Sequence, residues 1–472
     1  FTLPGIPAVI VGSNTHVAWG FTNSYGDWLD WYVVHADTDD IKTYKEKILV
    51  KDSAAVEFDI RESNGRPIMA KDINGDELAL SWIAHTPGSL STKIMSLASA
   101  KDNEQALSLF QLTGMPHQNA VFGDSSGKIS WKLTGLQKYW EPGCRRTEPL
   151  DEKKPADAAC FDAPLTPDYL HPQIISPDSN RLWSANARVT DGDALGQIGD
   201  AGYANGARAK QIRDDLFAKQ QFTEKDLLAV QLDDRTLFLQ RWWQQLHKLS
   251  EKKNDAMFND IRAATEKWDA RATADAKSYR FVRAWRLAVI DRIKDGLTAP
   301  AQVKLGADFK MPDLPQIEGV TWQLITQQPE HLLPKKYASW DALLSDAAKE
   351  VYDQLNEIGP LKDRTWGERN TASICHPISR ALPAFTKDWL CMPTDQLDGD
   401  MNMPRVVAPE FGASERMVVA PGHEADGIIH MPGGQSGHPM SPFWGSGHSA
   451  WLKGEATPFL PGATVYKIHG KP

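Results

Sequence analysis

The sequence predicts an α+β protein, and three observations carry the prediction. The first third is dominated by short apolar runs rich in aromatic and β-branched residues, the pattern of pleated strands. Near Ala207 the apolar spacing lengthens from two to nearly four, and helical patterns run on to about residue 295. From Thr365 onward Gly, Pro and His return, densest in "GGQSGHPMSPFWGSGHSAW", so strand-like segments stand at both ends with helices between them.

Taken in order, Ile6–Val11 and Val17–Phe21 are short apolar runs, and Trp28–Val34 is dense in aromatic and β-branched residues; all three are expected as strands. Residues 119–135, "NAVFGDSSGKISWKLTG", read as a hairpin whose polar, Gly-containing turn separates "AVFG" from the alternating "KISWKLT". Prolines and charges crowd between Cys144 and Pro177, which predicts a long surface loop. In "ARAKQIRDDLFAKQ" Ile212 and Leu216 lie one helical turn apart, and Thr223 with Asp226 makes a capping box at the head of the next helix. "QRWWQQLHKL" and "YRFVRAWRLAVIDRI" continue the helical pattern, and Leu344, Ala348, Val351 and Leu355 share one face of a further helix. The Trp and Phe residues of these helices are read as core.

Composition removes several classes of function. The chain has 472 residues, 52 Lys and Arg against 61 Asp and Glu, hence a formal charge of −9 without long single-sign runs. No electrostatic footprint for nucleic acid is visible, and no nucleic-acid partner is expected. No run of eighteen apolar residues exists, so no membrane-spanning helix is expected. Phe1 opens directly into "TLPGIPAVIVG" with neither an initiator Met nor a charged signal region, which is expected of a cut end. Four cysteines fall into two local pairs, Cys144/Cys160 and Cys375/Cys391. They suit either two disulfides in an oxidising compartment or four reduced thiols, and no spacing suggests zinc. A closed first pair would contribute roughly 3 kcal/mol in the chain-entropy model. His376 beside Cys375 is a poor dyad, because sequence neighbours rarely face each other.

Several segments carry residues suited to chemistry. "YGDWLDWY" sets Asp27 and Asp30 around Leu29, two carboxylates with a backbone carbonyl between, which is an oxygen-rich partial cage for calcium or simply an exposed turn. In "NRLWSANARV" the apolar Trp183, Ala185 and Val189 frame Asn186 and Arg188; an amide so placed can donate to developing negative charge or satisfy a backbone carbonyl. Arg208 opens a helix, where a solvated helix-end charge is the plain alternative. Ser436 and His438 of "GQSGHP" do not form a G-x-S-x-G elbow, since His438 stands where glycine is required.

Together "PGIPAVIVGSNTHVAWGFTNSYGDWLD", "HQNAVFGDSSGKISW", "SANARV", "GARAKQI" and "GGQSGHPMSPFW…W" resemble, in order, the motifs of the penicillin acylase family of N-terminal-nucleophile hydrolases. The match extends from Pro4 to Trp451, with the helical middle and the Cys144–Pro177 loop alike only in character. The resemblance implies an αββα sandwich made by 1–206, including a loop near 142–177, and by a C-terminal return over 358–472, with a mainly helical region at 207–357. It also implies an amidohydrolase that cleaves a hydrophobic acyl group from an amine by way of an acyl-enzyme.

In this family a serine begins the mature β chain in a segment written G-S-N-N-W, which "GSNTH" at Gly12–His16 imitates. The stretch after Ser13, however, resembles a later motif in which G-x-N is a turn between strands. Ser13 is therefore expected to be structural, and the nucleophile to lie upstream of Phe1, so that this chain alone is inactive. By the same resemblance Asn23 supplies a backbone N–H and Asn186 a side-chain amide to an oxyanion hole, with Arg208 supporting the network. Asp27, the Leu29 carbonyl, Asp30 and Asp200 are the implied ligands of a structural Ca2+. Ala187 stands where family members often carry a second Asn, so no role passes to that position. The implied partners are a small acyl-amide substrate and an α chain with the nucleophile-bearing segment from the same precursor, in a periplasmic or secreted setting. Two other readings stay open: an acylase-like interaction protein without activity, and a calcium-dependent glycan-binding module using some of the 17 tryptophans.

Overall fold

A computed structural model describes all residues except 4, 111–113, 142–143, 145–146, 162, 168–169, 307–308, 310, 312, 384–385, 387–388, 468 and 471–472. Pro4, where the expected motifs begin, and parts of the expected 142–177 loop thus lie outside the described residues. The chain divides into two compact units, Pro7–Tyr203 and Ala204–Pro472 joined by Phe1–Ile6. The expected parts 207–357 and 358–472 fall together in the second of these.

Among the described residues the Pro7–Tyr203 unit contains ten strands: β1 (Gly12–Ser13), β2 (Val17–Asn23), β3 (Leu29–Val33), β4 (Ile41–Ile48), β5 (Val56–Ser63), β6 (Arg66–Lys71), β7 (Glu77–Trp82), β8 (Gln118–Asp124), β9 (Ile129–Leu133) and β10 (Gln173–Ile175). They form two five-stranded antiparallel sheets, in the orders β1-β2-β8-β9-β10 and β3-β7-β6-β5-β4. The expected 119–135 hairpin is present as β8 and β9. Ile6–Val11 is not a strand: Pro7 offers no ladder donor, and Ile6 and Val9 face solvent. The Cys144–Pro177 segment is less free than its composition suggests. Leu150 exchanges backbone hydrogen bonds with β3, β10 lies within it, and Cys144 and Cys160 are buried beside Tyr32 and Trp140.

Alternation along β2 and β8 sends Val17, Trp19, Ala120 and Phe122 to one face of the first sheet. There they pack on Ala106, Leu107 and Phe110 of and beside helix α1 (Asn103–Leu109). The opposite face carries Val121, Trp131 and Leu133 and is covered by helix α2 (Gly192–Ile198) with Tyr25, Trp28 and Tyr203. Burying each such aromatic or leucine side chain contributes about 1.5–3 kcal/mol, so the sheet is held firmly on both faces. That rigidity positions the end of β2.

In the other unit, helices α3 (Ala207–Phe217), α4 (Glu224–Gln231), α5 (Gln240–Ser250), α6 (Ala256–Thr265), α7 (Ser278–Leu305), α8 (Ile317–Gln327) and α9 (Trp340–Ile358) follow in order. The Thr223/Asp226 capping box opens α4 as its sequence predicts. Trp242, Trp285, Leu344, Ala348, Val351 and Leu355 are buried in one core, which fulfils the reading of their aromatics as packing. Helix α7 continues past residue 295 through Pro300, which sits near its C-terminal end where one missing N–H is tolerated. The final third adds two small hairpins, β11 (Val407–Ala408) with β12 (Phe411–Gly412) and β13 (Arg416–Val418) with β14 (Ile428–His430). Both cysteine pairs are closed, Cys144–Cys160 and Cys375–Cys391, which leaves no thiol beside His376. Among the described residues no helix is long and apolar enough to cross a membrane.

Candidate active site

β2 runs out of the first sheet at Asn23, where its register sets Thr22 opposite Asn119 and Asn23 opposite Gln118. Here a segment distant in sequence arrives. Ser184–Ala187 makes a tight turn closed by Ala187 N–H donating to the Ser184 carbonyl at 3.0 Å. Ala185 and Asn186 both take left-handed backbone angles, with φ of 50° and 59°. Such angles cost an ordinary L-residue roughly 1–2 kcal/mol, less for asparagine, and persist only where the surroundings enforce them.

The surroundings are a polar lattice around residue 23. Asn186 Nδ2 donates to the Asn23 carbonyl at 2.9 Å, and Asn119 Nδ2 donates to the same oxygen at 3.1 Å. Asn119 is itself oriented by Trp131 Nε1, which donates to its Oδ1 at 3.1 Å. Gln118 Nε2 holds the Asn23 side chain at 3.0 Å, and the Thr22 and Ser184 hydroxyls meet at 2.6 Å. The structure therefore brings Asn23 and Asn186 together. It also adds Thr22, Gln118, Asn119, Trp131 and Ser184, which lay inside the quoted motifs but were not singled out. An amide NH2 has two hydrogens in one plane, so committing one of them to Asn23 O fixes the direction of the other.

Ser13 closes the β1–β2 turn, its hydroxyl donating to the Val17 carbonyl at 3.4 Å and accepting from Thr15 N–H. Arg208 stands in the other unit, half-buried in the first turn of α3. Ser436 and His438 meet through the Ser436 hydroxyl and the His438 backbone, a local turn rather than an imidazole–hydroxyl pair.

The expected calcium ligands lie just before and on β3 and after α2. Asp27 N–H donates to the Ile198 carbonyl at 2.8 Å, in a stretch where Gly26 is required because a Cβ would stand 2.7 Å from that same oxygen. Leu29 and Asp30 belong to β3, paired with Trp82 and Ser81. Asp200 Oδ2 is paired with Arg188 at 2.9 Å, and its Oδ1 accepts from Gly202 N–H at 2.8 Å. Partial burial pushes the Asp200 carboxyl upward, but the Gly202 N–H and the Arg188 guanidinium outweigh it and hold the group below the usual carboxylate range. Among the described residues no three Asp, Glu, His or Cys side chains converge as a metal site. The expected Ca2+ ligand set also includes the Leu29 backbone carbonyl, and its Asp200 carboxylate is paired with Arg188 in this structure.

Beside this lattice His117 stacks on Trp28 with ring centroids 3.8 Å apart and planes 9° apart. Its Nε2–H donates to the Leu136 carbonyl. Gly135, at φ 88°, leaves room for the ring, since a Cβ there would lie 2.9 Å from it. Burial pulls the imidazole down to about 4, so it is neutral near pH 7.

The profile of the penicillin amidase family matches residues 1–463. The chain is 23% identical over 496 residues to the penicillin acylase 2 proenzyme of Pseudomonas sp. strain SE83, covering 97% of this chain and 61% of that protein. It is likewise 23% identical over 531 residues to the acyl-homoserine lactone acylase QuiP of Pseudomonas aeruginosa, covering 98% of this chain and 61% of the relative. The chain thus spans about three fifths of the length of these curated relatives. Among solved structures, a thermostable penicillin G acylase from Alcaligenes faecalis superposes with a TM-score of 0.65 at 15% identity, covering 100% of this chain and 92% of that one. That likeness establishes the shared α+β N-terminal-nucleophile hydrolase fold. With the ordered motifs, the fold and a family match over nearly every residue in agreement, the chain belongs to the penicillin amidase family.

Proposed function

We propose that this chain is part of an amidohydrolase of penicillin acylase type, which removes a hydrophobic acyl group from an amine through an acyl-enzyme. The nucleophile in this reading is an N-terminal serine carried by another segment of the same precursor. Its own α-amine takes the hydroxyl proton as Oγ bonds to the amide carbonyl carbon, and the carbonyl π electrons pass to oxygen. Collapse of the tetrahedral species breaks the C–N bond and returns the proton to the departing amine. Water then releases the acid by the same route.

The chain's own contribution is the cradle for the oxyanion: Asn23 N–H and Asn186 Nδ2 donate to it. One observation carries this reading, the left-handed Asn186 locked by its amide against the Asn23 carbonyl. Donors that are fixed before reaction need no reorganisation when charge develops, and each is worth about 10²–10³ in rate. Asn23 is exposed in this chain, so substrate and the companion segment must cover it to keep water from weakening those bonds. The Ca2+ implied for Asp27, the Leu29 carbonyl, Asp30 and Asp200 is structural in this reading and takes no part in the reaction steps. A periplasmic or secreted location is supported by the two disulfides.

The test is N-terminal sequencing and intact mass of the native protein, followed by a panel of chromogenic acyl-anilides. Two chains from one precursor, an exposed N-terminal serine and a burst of amine release are expected. A native protein that hydrolyses no acyl-anilide and has no companion chain would refute the reading.

A further inference from the structure

Gln118 of β8 commits both of its backbone groups to the β9 side: its carbonyl accepts from Thr134 N–H at 3.0 Å, and its N–H donates to Thr134 Oγ1 at 3.0 Å. A strand residue turns its N–H and carbonyl toward the same neighbour, so Asn23, opposite Gln118, turns both away from β8. The Asn23 carbonyl closes β2 and is held by two side-chain amides, Asn119 Nδ2 at 3.1 Å and Asn186 Nδ2 at 2.9 Å. Which end of the Asn119 amide faces it is chemically fixed. The indole Nε1–H of Trp131 can only donate, so the atom it meets at 3.1 Å is Oδ1, and Nδ2 must turn to the Asn23 carbonyl, which can only accept. Asn119 is 4% exposed and Trp131 1%, so solvent cannot stand in for either bond. The Asn119 amide, anchored inside the sheet, thus fixes the direction of the carbonyl. Asn186, arriving on a turn, aligns to it.

We propose that Asn119 and Trp131 are positioning residues of the oxyanion cradle: through the Asn23 carbonyl they set the direction in which Asn186 Nδ2 presents its second hydrogen. Neither touches the reacting atoms. The proposal rests on the oxyanion reading above and adds that the aim of this donor is set two strands away, by an indole packed with Leu133, Ile198 and Tyr203. Losing the donor outright costs about 10²–10³ in rate and misplacing a group by about 1 Å about 10²-fold, so a misdirected donor costs less than a missing one.

The experiment uses the complete, processed enzyme with Asn119→Leu, Trp131→Phe and, as a packing control, Val121→Ala, which thins the same face opposite Trp131 without touching the lattice. Asn119→Leu removes the amide and adds no charge; Trp131→Phe keeps most of the ring and loses the donor. Acyl-anilide kinetics are read beside urea midpoints. Asn119→Leu should lower kcat by about 10–100-fold and Trp131→Phe by about tenfold, both with KM unchanged, whereas Val121→Ala lowers the urea midpoint and leaves kcat within about twofold. On an Asn186→Gly background either substitution should cost almost nothing more, because no donor remains to be aimed. Should Asn119→Leu fail to fold, Trp131→Phe and its cycle with Asn186→Gly carry the test. Wild-type kcat in the variants, an equal drop in Val121→Ala, or the full loss persisting on the Asn186→Gly background would overturn this inference alone. Wild-type turnover in Asn186→Gly itself would sink the oxyanion reading along with it.

Discussion

Replacing Asn186 separates catalysis from architecture, because side chain and backbone conformation can be changed independently. Asn186→Ala removes the amide that bonds Asn23 O and puts alanine into a left-handed conformation. The lost hydrogen bond costs about 1 kcal/mol, softened because Asn119 still donates to the same oxygen, and the backbone adds a comparable amount. Asn186→Gly removes the same amide but adopts the left-handed angle freely, so its stability should lie closer to wild type. The rate makes the opposite comparison. Both variants lose the same donor, so in the complete enzyme both should lose about 10²–10³ in kcat, or 2.7–4 kcal/mol of transition-state stabilisation. KM should move little, since the donor acts on charge that develops only during reaction. The assay is steady-state release of a chromogenic aniline, beside urea unfolding of each variant. If Asn186→Gly turns over within a few-fold of wild type, Asn186 merely holds the Asn23 carbonyl and the oxyanion role is refuted.

Three further outcomes rest on the geometry. His117 is held near pKa 4 in the fold against about 6.5 unfolded, so its contribution is complete above pH 6.5 and drains away as pH falls toward 4. That loss is up to about 3 kcal/mol in urea unfolding, and His117→Gln should flatten this part of the profile. A structural Ca2+ that takes Asp200 as a ligand must draw it away from Arg188, so the proposed site predicts a saturable rise in melting temperature with Ca2+ over excess EDTA, and an identical melting temperature in both would exclude it. Opening the buried Cys144–Cys160 bridge with Cys144→Ser/Cys160→Ser should cost about 3 kcal/mol in unfolding free energy at pH 7, and an unchanged urea midpoint would contradict it.

Much of the fold is legible locally. The alternation of "KISWKLT" and the turn before it suffice for β8–β9, and the capping residues Thr223 and Asp226 for the start of α4. Each depends on neighbours a few residues apart. Ile6–Val11 misleads because an apolar run looks like a strand whether or not a partner exists to bond it, and Pro7 removes one of the donors. At the site, Asn23 and Asn186 are visible as residue types in resembling motifs, whereas the bonds that hold them are not. Asn119 reaches Asn23 only because the β2–β8 register sets it opposite Thr22, and Trp131 reaches Asn119 from a third strand. The same holds for Asp200. Its sequence says carboxylate, but that Arg188 reaches it depends on the turn between them.

The most direct measurement is a crystal structure of the complete enzyme carrying a covalent phosphonate on its nucleophile, whose charged oxygen stands where the oxyanion forms. That oxygen should lie about 2.7–3.1 Å from both Asn23 N and Asn186 Nδ2. Finding it beyond hydrogen-bond reach of both, cradled by other donors, would contradict the account.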